Sequence, residues 1–147
     1  TDPKPKASET DAVWNGCTTF IHDGDLQDGT NYWTYTNFYS SGKADDKFNY
    51  LAIGGSGTIS QETYVPLAAG RLHVFTFSQV RWTGTGLNSQ VTVEINGQPV
   101  ASQSNLTAQN TGISFVPSTT GFAKITITNK RTSDPVKYYN LDLRGLN

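Results

Sequence analysis

The sequence predicts an all-β fold: a two-sheet antiparallel β-sandwich of the jelly-roll kind. Three observations carry that prediction. Short runs alternate apolar and polar residues with the period of two that a half-buried strand requires. Gly, Asn, Asp and Pro turn residues separate the runs, and no stretch holds a helical period for three turns. The 147 residues suffice for one domain with a single core.

Taken in order, residues 1–12 read as a linker or tail, because Thr1 to Thr10 is polar, has two prolines and lacks apolar period. Residues 13–147 are expected to form one binding domain. Strands are expected near residues 17–21, 32–39, 47–53, 58–66, 71–82, 89–96, 98–102, 112–116, 121–128 and 136–144. Val91, Val93 and Ile95 share one face, and Asn96-Gly97 supplies a type I′ hairpin turn. Ala123, Ile125 and Ile127 point inward, while Lys124, Thr126 and Thr128 point outward. The run from Leu72 to Trp82 is apolar on both faces, as a central strand covered on both sides would be.

A net charge of -1, with charged residues scattered singly, gives no footprint for nucleic acid. No apolar run reaches the length of a membrane span. Low charge with many Thr, Ser, Asn, Gly and Tyr suits an extracellular or cell-surface setting. The missing initiator Met and the linker-like start lead us to expect parent-chain domains N-terminal to residue 1. Cys17 stands alone, which excludes an internal disulfide and reads as a small buried hydrophobe or an intermolecular link.

Motifs in three places agree in order and spacing with a known family. Phe20-Ile21-His22-Asp23-Gly24-Asp25-Leu26-Gln27-Asp28-Gly29, with Trp33 after it, resembles the opening of galactose-binding-like jelly rolls such as family 4 carbohydrate-binding modules. Thr58 to Gln61, Val65 to Gly70 and Val74 to Ser78 are similar to that family's next segment, and Tyr138 to Leu143 to its closing strand. The resemblance implies a structural calcium near the joined ends, held here by Asp25, Gln27 and Asp142. The family's Glu is Gln27 in this chain, and the bland alternative is that Asp23, Asp25 and Asp28 make Asx-turns. It also implies a ligand face on one sheet or at the loop rim.

A sugar offers an apolar C–H face and a rim of hydroxyls, so its site needs an aromatic platform beside planar polar groups. Trp33, Tyr35 and Trp82 are the candidate platform. Ser78, Arg81, Asn88, Gln90 and Glu94 are the candidate polar contacts, expected on one surface because period two turns Ser78 and Trp82 away from Phe75 and Phe77 and turns Gln90 and Glu94 away from Val91 and Val93. Each aromatic has a second reading as core filling; Trp14 is read that way alone, and Tyr32, Phe38, Tyr39, Tyr50 and Tyr64 are left undecided. Gln79, Arg81 and Glu94 also read as ordinary solvated strand positions. Asn105-Leu106-Thr107 has the pattern of a glycosylation sequon, relevant only in a eukaryotic secretory host.

Catalysis is not expected. Glu62 and Glu94 lie on separate strands, no nucleophile elbow is present, and His22 and His73 lack metal-ligand spacing. The expectation is a non-catalytic, lectin-like carbohydrate-binding module of a larger secreted or cell-surface protein. The alternative is a structural or protein-binding terminal module of a bacterial adhesin or phage tail protein.

Overall fold

Alternation becomes structure most plainly where Val91, Val93 and Ile95 face Ile127, Ile125 and Ala123 across one antiparallel ladder, all of them buried. The computed structural model describes residues 20–44, 47–84, 86–132 and 134–146. The expected tail at 1–12, Trp14 and Cys17 lie outside the described residues.

Among the described residues ten strands form: β1 (Thr34–Tyr35), β2 (Phe38–Ala44), β3 (Phe48–Ile53), β4 (Thr58–Glu62), β5 (Leu72–Arg81), β6 (Ser89–Ile95), β7 (Gln98–Leu106), β8 (Asn110–Phe115), β9 (Ala123–Asn129) and β10 (Val136–Leu146). The first sheet has the order β1-β4-β9-β6-β7 and the second β2-β3-β10-β5-β8, with antiparallel pairing throughout. This is the expected all-β sandwich. Its core lies between the sheets. Ile59, Val91, Val93, Ile125 and Ile127 come from the first sheet, and Leu51, Ile53, Phe75, Phe77, Val136, Tyr138 and Leu143 from the second. Burying each such side chain contributes about 1.5–3 kcal/mol, which makes this layer the main source of stability.

Local chemistry sets the turns. Asn96 and Gly97 both have positive φ (52° and 77°), as the type I′ hairpin between β6 and β7 requires. The expected strand at 32–39 is instead divided. Asn37 takes a left-handed conformation (φ 50°), which ends β1 in the first sheet and starts β2 in the second. Residues 17–19 of the first expected strand lie outside the described residues. Its remainder runs beside β10, with Phe20 N–H donating to the Leu143 carbonyl and Leu141 N–H to the Gly24 carbonyl, both at 2.8 Å. The opening motif therefore does lie against the closing strand.

Two features of the second sheet decide which side chains reach its outer face. Asn140 (φ 51°) forms a bulge where the β10–β5 register shifts between Tyr139 and Asp142. The bulge keeps Tyr138, Leu141 and Leu143 on the core side while Tyr139 and Asp142 face outward. The second feature is a correction. Gln79, read from sequence as a solvated position, is fully buried and stands on the inner face with Phe75 and Phe77. Its Oε1 accepts from Ser89 Oγ (2.6 Å), and its Nε2 donates to the carbonyls of Leu106 and Ala108.

Candidate functional site

The outer face of the second sheet gathers a cluster of aromatic rings around Lys137. On β3, burial of Leu51 and Ile53 leaves Tyr50 outward; on β10, burial of Val136 and Tyr138 leaves Lys137 outward, with Tyr139 on the same side but buried, 6% exposed. Trp82 follows β5 and is fixed by its N–H to the Pro135 carbonyl (2.9 Å). Its ring meets Tyr39 edge to face at 4.8 Å and Tyr50 at 6.0 Å. Lys137 Nζ lies 4.9 Å from the Tyr50 ring centre and 4.8 Å from that of Trp82. Further along, Phe48 stacks on Tyr139 at 3.7 Å and 12°. The result is an aromatic surface spread over β2, β3, β10 and the end of β5.

A hollow of about 450 Å³ adjoins it, lined by Thr76, Phe77, Ser78, Asn110, Thr111 and Asn140. Ser78 Oγ donates to Asn110 Oδ1 (2.6 Å), and Gln109 Nε2 donates to the Tyr139 hydroxyl (3.1 Å). Both bonds fix planar amides beside aromatic rings. That combination offers a flat apolar surface and hydrogen-bonding groups of set direction, the two demands a sugar ring makes.

Of the residues singled out in the sequence, Trp82 and Ser78 stand on this face. Trp33 does not. It is 4% exposed, packs in the core, and donates its indole N–H to the Asp23 carbonyl (3.1 Å), so it serves the fold rather than an open platform. Tyr35 is exposed and pairs with Phe38 at 4.8 Å, at the corner where the chain changes sheets. The Arg81 side chain is 5% exposed; it donates to the Gly86 carbonyl (3.0 Å) and pairs with Asp134, which closes the surrounding loops. Asn88 extends the β6–β9 ladder through its carbonyl, which accepts from Lys130 N–H (2.8 Å). Gln90 and Glu94 do face outward, but from β6 in the first sheet, so they lie on the opposite side of the sandwich from Trp82. The single surface expected from period two fails because β5 and β6, consecutive in the chain, belong to different sheets.

Sequence reasoning left Tyr39 and Tyr50 undecided and missed Phe48, Lys137, Tyr139, Gln109 and Asn110. Aromatic alternation in 47–53 signalled Tyr50. The bulge that turns Tyr139 outward left no sequence signal.

Asp25 and Asp142, expected with Gln27 to hold calcium, directly follow Gly24 and Leu141, which are hydrogen-bonded to each other (2.8 Å). Asp142 Oδ2 accepts from Arg144 Nε (2.6 Å), and Asp25 Oδ1 accepts from Gln27 N–H (3.3 Å). Among the described residues no three His, Cys, Asp or Glu side chains form a metal cluster. Asp23, by contrast, is buried, and burial together with Asp25 and Asp28 raises its carboxyl to about 6. His73 is fully buried between Phe20 and Phe115. Its Nδ1 can only donate to the Arg71 carbonyl (2.9 Å), and burial lowers its pKa to about 4.

Comparison with solved structures matches this architecture to carbohydrate-binding modules. TmCBM61, solved with β-1,4-galactotriose, superposes with a TM-score of 0.62 at 17% identity, over 86% of this chain and 97% of that one. The chain has the jelly-roll fold of these modules. The second N-terminal cellulose-binding domain of a Cellulomonas fimi β-1,4-glucanase shares this module fold with a TM-score of 0.66 at 12% identity, covering 88% and 95% of the two chains. The enzymatically active domain of bacteriophage CBA120 tailspike protein 4 contains the module fold as one part, with a TM-score of 0.61 at 17% identity, over 86% of this chain and 21% of that one. No family model and no curated protein matches the sequence.

Proposed function

We propose that this chain is a non-catalytic carbohydrate-binding module whose ligand lies along the outer face of the second sheet. One observation carries the reading: the aromatic surface of Tyr39, Tyr50 and Trp82 adjoins a hollow lined by Ser78, Asn110 and Asn140. A neighbour solved with β-1,4-galactotriose and another solved as a cellulose-binding domain support it through the shared fold. Glu62 and Glu94 flank Lys124 in a hollow of about 340 Å³ on the other sheet, away from the aromatic surface, and Asp142, on this face, is paired with Arg144. An extracellular or cell-surface setting within a larger protein is part of the proposal. Binding to a panel of immobilised glycans tests it directly, since a sugar binder gives hits.

The second reading is a structural or protein-binding module of a phage tail or adhesin. The tailspike likeness favours it, because there the fold occupies a fifth of a much longer chain. Under that reading the same panel gives no hits.

A further inference from the structure

The centre of the aromatic surface carries a charge. Lys137 extends its ammonium over both Tyr50 and Trp82, and its cross-strand neighbours in register are Ala52 and Val80, neither of which balances it. The nearest carboxylate on the outer side of β10 is Asp142, whose Oδ2 is engaged by Arg144. No ion pair to Lys137 occurs among the described residues. A second cation, Lys43, lines a hollow of about 280 Å³ that Tyr50 also borders, with Ser41, Asn49 and Gln27.

A neutral sugar seeking these ring faces would have to move the ammonium aside and give up its cation–π contacts. A sugar bearing a carboxylate has no such conflict. It leaves Lys137 over the rings, adds a charge-assisted hydrogen bond to Nζ, and still lays its C–H face on aromatic carbon. Resting on the carbohydrate-binding reading, we propose that the preferred ligand of this face is an acidic glycan, a polymer containing uronate residues, and that Lys137 is the residue that selects it.

The test measures affinity by calorimetry for four probes: oligogalacturonate, alginate oligomers, a neutral β-1,4-galactan oligomer and a sulfated galactan. The proposal expects the uronate oligomers to bind at least about tenfold more tightly than the neutral galactan at low salt, and that margin to shrink as salt screens the contact. Lys137→Met keeps the apolar stem and should remove both the margin and its salt dependence, whereas Lys137→Arg should retain them. A melting curve for each variant verifies that it is folded. Equal or tighter binding of the neutral galactan, unchanged in Lys137→Met, would overturn the acidic preference and leave the carbohydrate-binding reading standing. Preference for the sulfated polymer would overturn the uronate assignment. Failure of the wild type to bind any of the four, or of a wider glycan panel, would bring down both.

Discussion

Gln79 and Ser89 join the two sheets through the core: Ser89 Oγ donates to Gln79 Oε1 at 2.6 Å and meets the Tyr138 hydroxyl at 2.8 Å. Ser89 and Gln79 are both fully buried, and Tyr138 is equally so, which pushes its phenol well above the usual range. With Ser89 donating to Gln79, the tyrosine must donate to Ser89. Ser89→Ala would strand a buried amide oxygen and a buried hydroxyl. We expect a loss of about 1–3 kcal/mol, measured by urea denaturation, with the fold retained. A loss below a few tenths would mean that the groups find other partners.

Gly24 marks where the opening segment crosses β10. A Cβ there would collide with the Leu141 carbonyl oxygen, which is backbone and cannot swing away. Gly24→Ala should cost about 1–3 kcal/mol through this overpacking. Gly97→Ala offers a comparison, since open space surrounds that position and only its positive φ resists substitution. An unchanged melting temperature in Gly24→Ala would contradict the close approach of opening and closing segments.

The pH response follows from two buried groups with opposite signs. His73, lowered from 6.5 to about 4, contributes stability above pH 6.5 that is lost as pH falls toward 4. Asp23, raised from 3.8 to about 6, contributes stability below 3.8 that is lost as pH rises through 6. The two slopes oppose each other between pH 4 and 6. Asp23→Asn keeps an acceptor for Asp28 N–H and suits the positive φ of 53° at that position. It should be relatively more stable than wild type above pH 6, and should lose stability more steeply on acidification. Parallel melting-temperature curves for the two proteins would rule out the shift at Asp23.

The two-sheet fold was legible because alternation in residues 89–96 and 121–128 depends only on which side of a pleat is buried. The Asn96-Gly97 turn was legible for a similarly local reason. Site residues were harder because their grouping depends on which strands become neighbours. Sequence places Gln90 and Glu94 directly after Trp82, yet β5 pairs with β8 and β10 while β6 pairs with β7 and β9. Gln79 was misread although its parity with Phe75 and Phe77 was visible, because a polar residue was assumed to face water. Tyr139 was hidden by the Asn140 bulge, which no periodicity announces.

Trp33 and Trp82 should respond oppositely to truncation. Trp33 fills the core, so Trp33→Ala should cost about 3–5 kcal/mol of stability through the cavity it leaves. Differential scanning calorimetry should show a large fall in the melting temperature, or no folded protein. A small effect would return Trp33 to the surface.

Trp82 tests the central claim most directly, and the measurement is its alanine variant assayed for glycan affinity and thermal stability on the same sample. The ligand is the tightest binder found for the wild type. Removing an aromatic anchor from a small interface typically costs about 2 kcal/mol or more, roughly thirtyfold in affinity. We predict that loss together with a melting transition close to that of the wild type, because the indole rests on Tyr39, Tyr50 and Lys137 outside the core. Full affinity retained by a folded Trp82→Ala would contradict the proposed binding face.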